Sequence, residues 1–443
     1  MATFCFFAPS GYLADPHVLD RAEALLIGLG HDVKRDRSLL DTHYRFAGDV
    51  ATRIAAFERV AADPDVDVAV AARGGYGITQ LLDALDFGAL AGSGKLWLGH
   101  SDFTAFSLAM LAAGGQNSLQ GPMVAADLGA ETPSDFTLAH FTDLLASGRD
   151  AIVVSTPQAW QGSLDGVLWG GNLSMVNHLL GTPWWPQVEG GILFLEDVCE
   201  APFRVERLLY QLLHAGVLAR QKAILLGDFS GYRLGQPDNG YDFDAMLAHL
   251  RSRITTPILT GLPFGHVPDK LTLPVGGHAS LVSTAEGWRL DIRATAPAPH
   301  FEISPYTVRA ADWGREQAML RAVRYPVFVV EQNVPEEIEW DAMDAACLHA
   351  LAVDTQGRPV GTARLLPDGH IGRVAVLPAW RGKGVGRRLM RWIIAMARSR
   401  GHLAVELNAQ TSAAGFYAGM GFETCGPEFV EAGILHVPMR LAF

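Results

Sequence analysis

Cysteine is scarce. The chain of 443 residues has four, Cys5, Cys199, Cys347 and Cys425, all far apart. They are too few for a disulfide scaffold, and their spacing matches no zinc motif, so no metal site is expected and a reducing cytoplasm is the expected compartment. No apolar run approaches the ~20 residues that cross a bilayer. The apolar start, Met1 to Ala8, lacks a basic region and breaks at Pro9-Ser10-Gly11, so it reads as a first buried strand and not as a signal peptide. Positive charge is also in short supply. A net charge of −12 argues against a nucleic-acid or membrane-surface partner. What is abundant is hydrophobic sequence, 49% against 19% charged, which fits large cores and at least two domains.

Strand and helix signals alternate up to about residue 150. Thr3–Ala8 reads as a strand and Val18–Gly30 as a helix. Val66–Val70 reads as a second strand that runs into Arg73-Gly74-Gly75-Tyr76-Gly77, with a helix beginning near Ile78. Leu96–Gly99 is the next strand, and a helical pattern covers Ala105–Ala113. This alternation implies a parallel α/β sheet with ligands at the carboxyl ends of its strands. Residues 150–165 are polar and read as a crossover. Ile192–Leu195 and Ala223–Leu226 read as buried strands, with a helix from Pro202 between them. Thr295–His300, rich in Pro and Ala, has little to bury and is the best linker candidate.

Beyond residue 305, Val327–Val330 reads as a strand, and Ala350–Val353 with Gly361–Leu365 as an antiparallel pair. An amphipathic helix carries Val385, Leu389, Ile393 and Ala397 on one face and Arg387, Arg388, Arg391 and Arg398 on the other, which read as a solvated face. Leu403, Val405 and Leu407 alternate as a strand.

Three features could carry chemistry in the first 300 residues. Ser101, in Gly99-His100-Ser101-Asp102-Phe103-Thr104, stands on a strand-to-helix turn. Such a serine is either a helix cap or the nucleophile of an elbow. Gly74-Gly75 is either a tight turn or a source of backbone N–H groups for an oxyanion. Trp169, Trp184 and Trp185 are either core or a substrate wall, and core packing is commoner.

Six stretches, in order, resemble the serine LD-carboxypeptidases, the muramoyltetrapeptide carboxypeptidases of peptidoglycan recycling. They are Gly74-Gly75-Tyr76-Gly77, Gly99 to Thr104, Trp169-Gly170-Gly171-Asn172-Leu173, Leu195-Glu196-Asp197, Pro202 to Arg207, and Phe264-Gly265-His266. The resemblance covers residues 1 to about 300. It implies Ser101 as nucleophile, His266 as general base and Glu196 as the acid orienting the imidazole. Asp197 and Glu200 compete with Glu196, and only the motif favours Glu196. The oxyanion donors would be the N–H of Asp102 and one from Gly74 or Gly75. Arg204 is a candidate for the substrate carboxylate, or an ordinary ion pair. His100 reads as packed, and His278 as structural. A homodimer is implied.

Arg381-Gly382-Lys383-Gly384-Val385-Gly386, after the Val374-Ala375-Val376 strand and before the amphipathic helix, looks like the acetyl-CoA loop of GNAT N-acetyltransferases. Small residues there expose N–H groups at a helix N-terminus, where pyrophosphate binds. Val374 and Val376 would flank the cofactor, and Asn408 would contact it or the chain. The resemblance makes Tyr417, in Gly-Phe-Tyr-x-x-x-Gly-Phe, the acid that protonates the leaving thiolate. Phe328-x-x-Glu331-Gln332, Pro335 and Asp341 are similar to the ElaA-like branch. It covers about 305–443.

The expected architecture is therefore α/β multidomain: a parallel α/β subdomain at 1–150 holding the nucleophile, a β-rich subdomain at 166–300 holding acid and base, and an α+β GNAT domain with a mixed sheet at 305–443. The expected function is release of the terminal D-Ala from cytoplasmic murein tetrapeptides, without a cofactor, joined to acetyl-CoA-dependent acetylation of an unidentified amine. Two other readings stand beside it. One is an immunity or detoxification hydrolase of peptidyl- or aminoacyl-nucleotide antibiotics, with acetylation of the same toxin. The other is a sensor that has lost catalysis, against which Ser101, Glu196, His266 and Tyr417 together argue.

Overall fold

The computed structural model describes residues 1–156 and 160–443, which divide into two compact units. The first comprises Met1–Ala14 and Val33–Glu302; the second comprises Asp15–Asp32 and Ile303–Phe443.

The strands of the first unit are β1 (Thr3–Phe7), β2 (Asp32–Arg35, whose first residue groups with the second unit), β3 (Val68–Ala71), β4 (Leu96–Gly99), β5 (Ser118–Gln120), β6 (Arg149–Ser155), β7 (Ser163–Asn172), β8 (Ile192–Glu196), β9 (Ala223–Leu226), β10 (Ile258–Thr260), β11 (Leu273–Val275), β12 (Gly277–Ser283) and β13 (Gly287–Arg293). One sheet has the order β11-β5-β4-β3-β1-β2, with the β1–β3, β3–β4 and β4–β5 pairs parallel. The other has the order β10-β9-β8-β7-β12-β13-β6. Its first four strands run parallel, and β7, β12, β13 and β6 pair antiparallel. The parallel strands are buried along their length, which is why they read as continuous apolar runs. The helix Phe103–Ala112 is buried nearly all round. Its Phe103 and Phe106 pack with Phe7, Phe57 and Trp97 at ring-centroid distances of 4.8–6.4 Å. This aromatic block holds the turn at Ser101 from behind.

In the second unit, β14 (Tyr306–Ala311), β15 (Leu348–Asp354), β16 (Pro359–Leu365) and β17 (Ile371–Val376) form one antiparallel sheet. The strands β18 (Ala404–Gln410), β19 (Glu423–Thr424), β20 (Phe429–Glu431) and β21 (Ile434–Ala442) form another. A parallel bridge, His370 to Glu406, joins the two at the start of β17 and β18. Beyond it no ladder links the two strands among the described residues, and a cleft opens between them.

Several sequence expectations are corrected. Val327–Val330 is not a strand: Tyr325–Glu331 continues the helix Trp313–Arg324 as a π-helical turn. Val323 and Val327, four apart, pack together against Ala375, so the β-branched run follows helical spacing. Ile78 opens only a short 3₁₀ turn, Ile78–Gln80. The stretch 150–165 is not a plain crossover, because β6 and the start of β7 lie in it; residues 157–159 lie outside the described residues. On this edge strand Arg149, Val153 and Ser155 are exposed, while Asp150 is paired with His140. The Thr295–His300 stretch is mostly exposed and ends just before the second unit resumes at Ile303; within it Ala298 is buried and bonded through its N–H to the Leu145 carbonyl, and His300 Nδ1 lies 2.9 Å from Asp67.

The helix His17–Leu29 does not group with the rest of residues 1–150. Its Ala24 and Ile27 enter the core of the second unit. Arg398 pairs with Asp20 and Glu23, and Arg391 with Asp32, while Arg388 bonds Ser304 and the Tyr306 carbonyl. The arginine face read as solvated is therefore largely occupied by pairing.

Candidate active sites

Ser101 follows β4 and adopts φ 63°, a left-handed conformation that costs a non-glycine residue roughly 1–3 kcal/mol. The sharp turn requires Gly99, where a Cβ would lie 2.6 Å from the Phe103 ring. Thr104 N–H and Phe103 N–H close the turn on the Ser101 and His100 carbonyls. The outcome is a hydroxyl held outward at the carboxyl end of a central strand.

His266 lies on the loop after β10, and Glu196 ends β8. Ser101 Oγ is 3.0 Å from His266 Nε2, and His266 Nδ1 is 2.8 Å from Glu196 Oε2. Glu196 is fully buried. Burial by itself would lower the pKa of the His266 imidazole, but the hydrogen bond and charge of Glu196 outweigh it and raise that pKa above its usual value. Of the three candidate acids, Glu196 faces His266, Asp197 bonds Asn172 and Ser174, and Glu200 pairs with Arg204 at 3.6 Å. Arg204, more than half exposed, is thus found in an ion pair.

The Gly74-Gly75 turn comes close to the serine. A Cβ on Gly74 would lie 3.0 Å from Ser101 Cβ and 3.2 Å from Oγ, so any larger residue would crowd the serine. The backbone N–H groups of Asp102 and Gly75 make no hydrogen bond among the described residues. His100 is buried, its Nδ1 3.0 Å from the Gly121 carbonyl and its ring edge-on to His266 at 5.2 Å. Burial holds its pKa well below normal, so it stays neutral. Trp169 and Trp185 pack in the core, and His278 stands near Asp165 away from the triad chain. A cavity of about 350 Å³ opens beside His266 and His100, lined also by Leu128, Leu138 and the buried Lys270–Asp127 pair at 2.6 Å.

Three groups around this site escaped sequence reasoning. Asn172 gives Nδ2 to both Glu196 and Asp197 while capping the following helix at Met175. Its signal was an asparagine between a strand and an apolar helix. Thr104 Oγ1 accepts the Asn172 N–H, and Lys270 neutralises Asp127.

In the second unit a cleft of about 570 Å³ is lined by Val374, Val376, Arg381, Asn408 and Tyr417 of the expected set. Gly382, Lys383, Gly384, Val385 and Gly386 form the adjoining turn into the helix Val385–Ser399. Gly384 adopts φ 83° as its N-cap, with no side-chain cap, so the first N–H groups keep their donor capacity. The Arg381 guanidinium forks onto Glu331 at 2.8 and 2.6 Å. Lys383 Nζ sits 5.0 Å from the centre of the Trp380 ring. Burial pushes the Tyr417 hydroxyl up to about 12, so it remains a proton donor at neutral pH. The ion network at the inner wall was not foreseen: Glu339, Asp341, Arg364 and Arg373 line the cleft and interlock with Arg324 and Asp344 buried behind them, Arg324 fully.

A hydroxyl, an imidazole and a carboxylate bonded in series at separate strand ends define a site of the serine-hydrolase class. Family models match in three places: LD-carboxypeptidase N-terminal domain at residues 5–121, LD-carboxypeptidase C-terminal domain at 165–281, and acetyltransferase (GNAT) domain at 312–443. A probable murein peptide carboxypeptidase of Bacillus subtilis is 29% identical over 275 residues, 61% of this chain and 86% of its own. The crystal structure of muramoyltetrapeptide carboxypeptidase from Oxalobacter formigenes is 46% identical, with TM-score 0.63 over 66% of this chain and 99% of that one. The microcin C7 self-immunity protein MccF shares the fold, with TM-score 0.58 and 22% identity over 66% of this chain and 96% of that one. The chain belongs to the LD-carboxypeptidase family and also carries a GNAT acetyltransferase domain. Among the described residues no cluster of side chains could hold a metal ion, and no helix is long and apolar enough to cross a membrane.

Proposed function

We propose that the first unit releases the terminal D-Ala from murein tetrapeptides, as part of peptidoglycan recycling in the cytoplasm. The observation that carries this reading is the unbroken chain from Ser101 through His266 to Glu196. His266 Nε2 takes the Ser101 proton as Oγ attacks the carbonyl of the bond to D-Ala. Glu196 holds the imidazole in the required tautomer and stabilises its cationic form. The N–H groups of Asp102 and Gly75 receive the developing oxyanion. His266 then protonates the departing D-Ala amine, and water, activated by the same imidazole, frees Ser101. The Bacillus and Oxalobacter relatives support this substrate class.

The second unit acetylates an amine. Its uncapped helix N-terminus and the turn Arg381 to Gly386 suit a pyrophosphate, and Val374, Val376 and Asn408 would hold the rest of acetyl-CoA along the cleft. Acetyl-CoA supplies the acetyl thioester. Tyr417 keeps its proton to neutral pH and beyond, as the acid for a leaving thiolate must. The reading also carries a homodimer, which light scattering of the purified protein tests.

The experiment is D-Ala release from the monomeric tetrapeptide, by wild type and by Ser101→Ala, beside turnover of an aminoacyl sulfamoyl adenylate. D-Ala release that needs Ser101 supports the reading. Turnover of the adenylate alone would replace it with the antibiotic-hydrolase reading.

A further inference from the structure

The Asp102 carboxyl group is buried, and the catalytic sequence above does not use it. Its Oδ2 accepts from Ser10 Oγ at 2.6 Å and from Ile78 N–H at 3.0 Å. These partners stand on different loops. Ser10 follows β1, and Ile78 closes the Gly74–Gly77 turn after β3. Asp102 itself follows β4. One carboxylate oxygen therefore ties together three loops at the carboxyl ends of adjacent parallel strands.

Two more attachments complete the frame. Gly11 N–H donates to the Gly74 carbonyl at 3.2 Å. The buried Arg53 gives Nη1 to the carbonyls of Gly77 at 2.9 Å and Pro9 at 3.3 Å, and Nη2 to Gln80 at 2.7 Å. The Gly74–Ile78 turn is thus held at its start by the first loop, near its end by Arg53, and at its end by Asp102. That turn carries one oxyanion donor, and the backbone of Asp102 carries the other.

We infer that the Asp102 side chain is a positioning residue that fixes the separation of the two oxyanion donors by clamping the Gly-rich turn to the nucleophile elbow. The inference rests on the hydrolase reading, since it assigns a role within that site. The clamp needs an acceptor and no negative charge. Oδ2 makes both bonds, while Oδ1 is buried with no partner. An asparagine whose amide oxygen takes the place of Oδ2 keeps both bonds. An alanine keeps neither and frees the turn, so that the Gly75 donor drifts from Ser101. Misplacing one oxyanion donor is worth on the order of 10²–10³ in kcat.

The test compares Asp102→Ala, Asp102→Asn and Ser10→Ala by two readouts. One is kcat and KM for D-Ala release from the tetrapeptide. The other is the rate at which a small fluorophosphonate modifies Ser101, which needs the nucleophile, base and oxyanion donors but no particular peptide. Asp102→Ala should slow both by about 100-fold or more, with KM changed less than about threefold. Asp102→Asn should recover most of the loss, to within about tenfold of wild type, and Ser10→Ala, which keeps the Ile78 bond, should fall between. If Asp102→Ala does not fold, the asparagine and Ser10 variants carry the test alone. Wild-type fluorophosphonate rates in Asp102→Ala would overturn the inference, as would an asparagine variant that folds normally yet is as slow as the alanine one. Slowed modification in a protein that never releases D-Ala would reject the tetrapeptide while leaving the clamp in place. A wild-type Ser101 inert to the phosphonate would reject the oxyanion frame and the clamp with it.

Discussion

The two units solve the problem of placing reactive groups in opposite ways. In the first, every group comes from a different loop at the end of a parallel strand: Gly74-Gly75 after β3, Ser101 after β4, Glu196 at the end of β8 and His266 after β10. These groups are within bonding distance only because two sheets converge, and buried polar contacts hold them there. In the second, most of the expected cofactor contacts come from one stretch, Val374 to Gly386, laid along the opening between two antiparallel sheets. The first is assembled by the tertiary fold, the second largely by local geometry. Substitutions at a distance should therefore act strongly on the first site and weakly on the second, except where they touch the ion network at the inner wall of the cleft.

Among changes that leave both nucleophile and fold in place, Glu196→Gln should have the largest effect, lowering D-Ala release by roughly 10³-fold or more, since the imidazole loses the group that fixes its tautomer. The pH profile sharpens this. His266 must be neutral to act as base, and Glu196 raises its pKa. The acid limb of kcat/KM should lie above the ordinary histidine value of about 6.5 in wild type and move to lower pH in Glu196→Gln. An unmoved limb would assign it to another group.

Next in size is Arg324→Ala. It takes from Glu339 and Asp344 the fully buried one of their arginine partners, leaving Arg373 and Arg364 to hold them, and should cost the second unit about 3 kcal/mol, read by denaturant unfolding. D-Ala release measured in native buffer should respond far less than acetyl transfer; equal loss of both would break the contrast between the units. The smallest is Tyr417→Phe, which should slow acetyl transfer from acetyl-CoA by roughly 10²-fold, the range for one general acid, and leave D-Ala release intact.

The buried strands of the first unit were legible because parallel strands covered on both faces read as apolar runs, Val68–Ala71 and Ile192–Leu195 among them. The candidate triad was legible only as a set of motifs. Nothing in the spacing of residues 101, 196 and 266 brings them together, and Glu196 differs from Asp197 only in what each strand end faces. The Asp102 clamp was invisible for the same reason: Ser10 and Ile78 are 92 and 24 positions away. Val327–Val330 misled because β-branched residues also suit a helix when their spacing lets Val323 and Val327 share one face. The helix His17–Leu29 read correctly as a helix, but an amphipathic pattern does not say which core it faces. Its Ala24 and Ile27 lie with the residues of the second unit.

The proposed hydrolysis depends most directly on Ser101. Purified protein and its Ser101→Ala variant, incubated with the monomeric murein tetrapeptide, should differ completely: wild type releases D-Ala with turnover, and the variant, still folded, releases none above the uncatalysed background. D-Ala release by the folded Ser101→Ala variant, or its absence with wild type, would contradict the account.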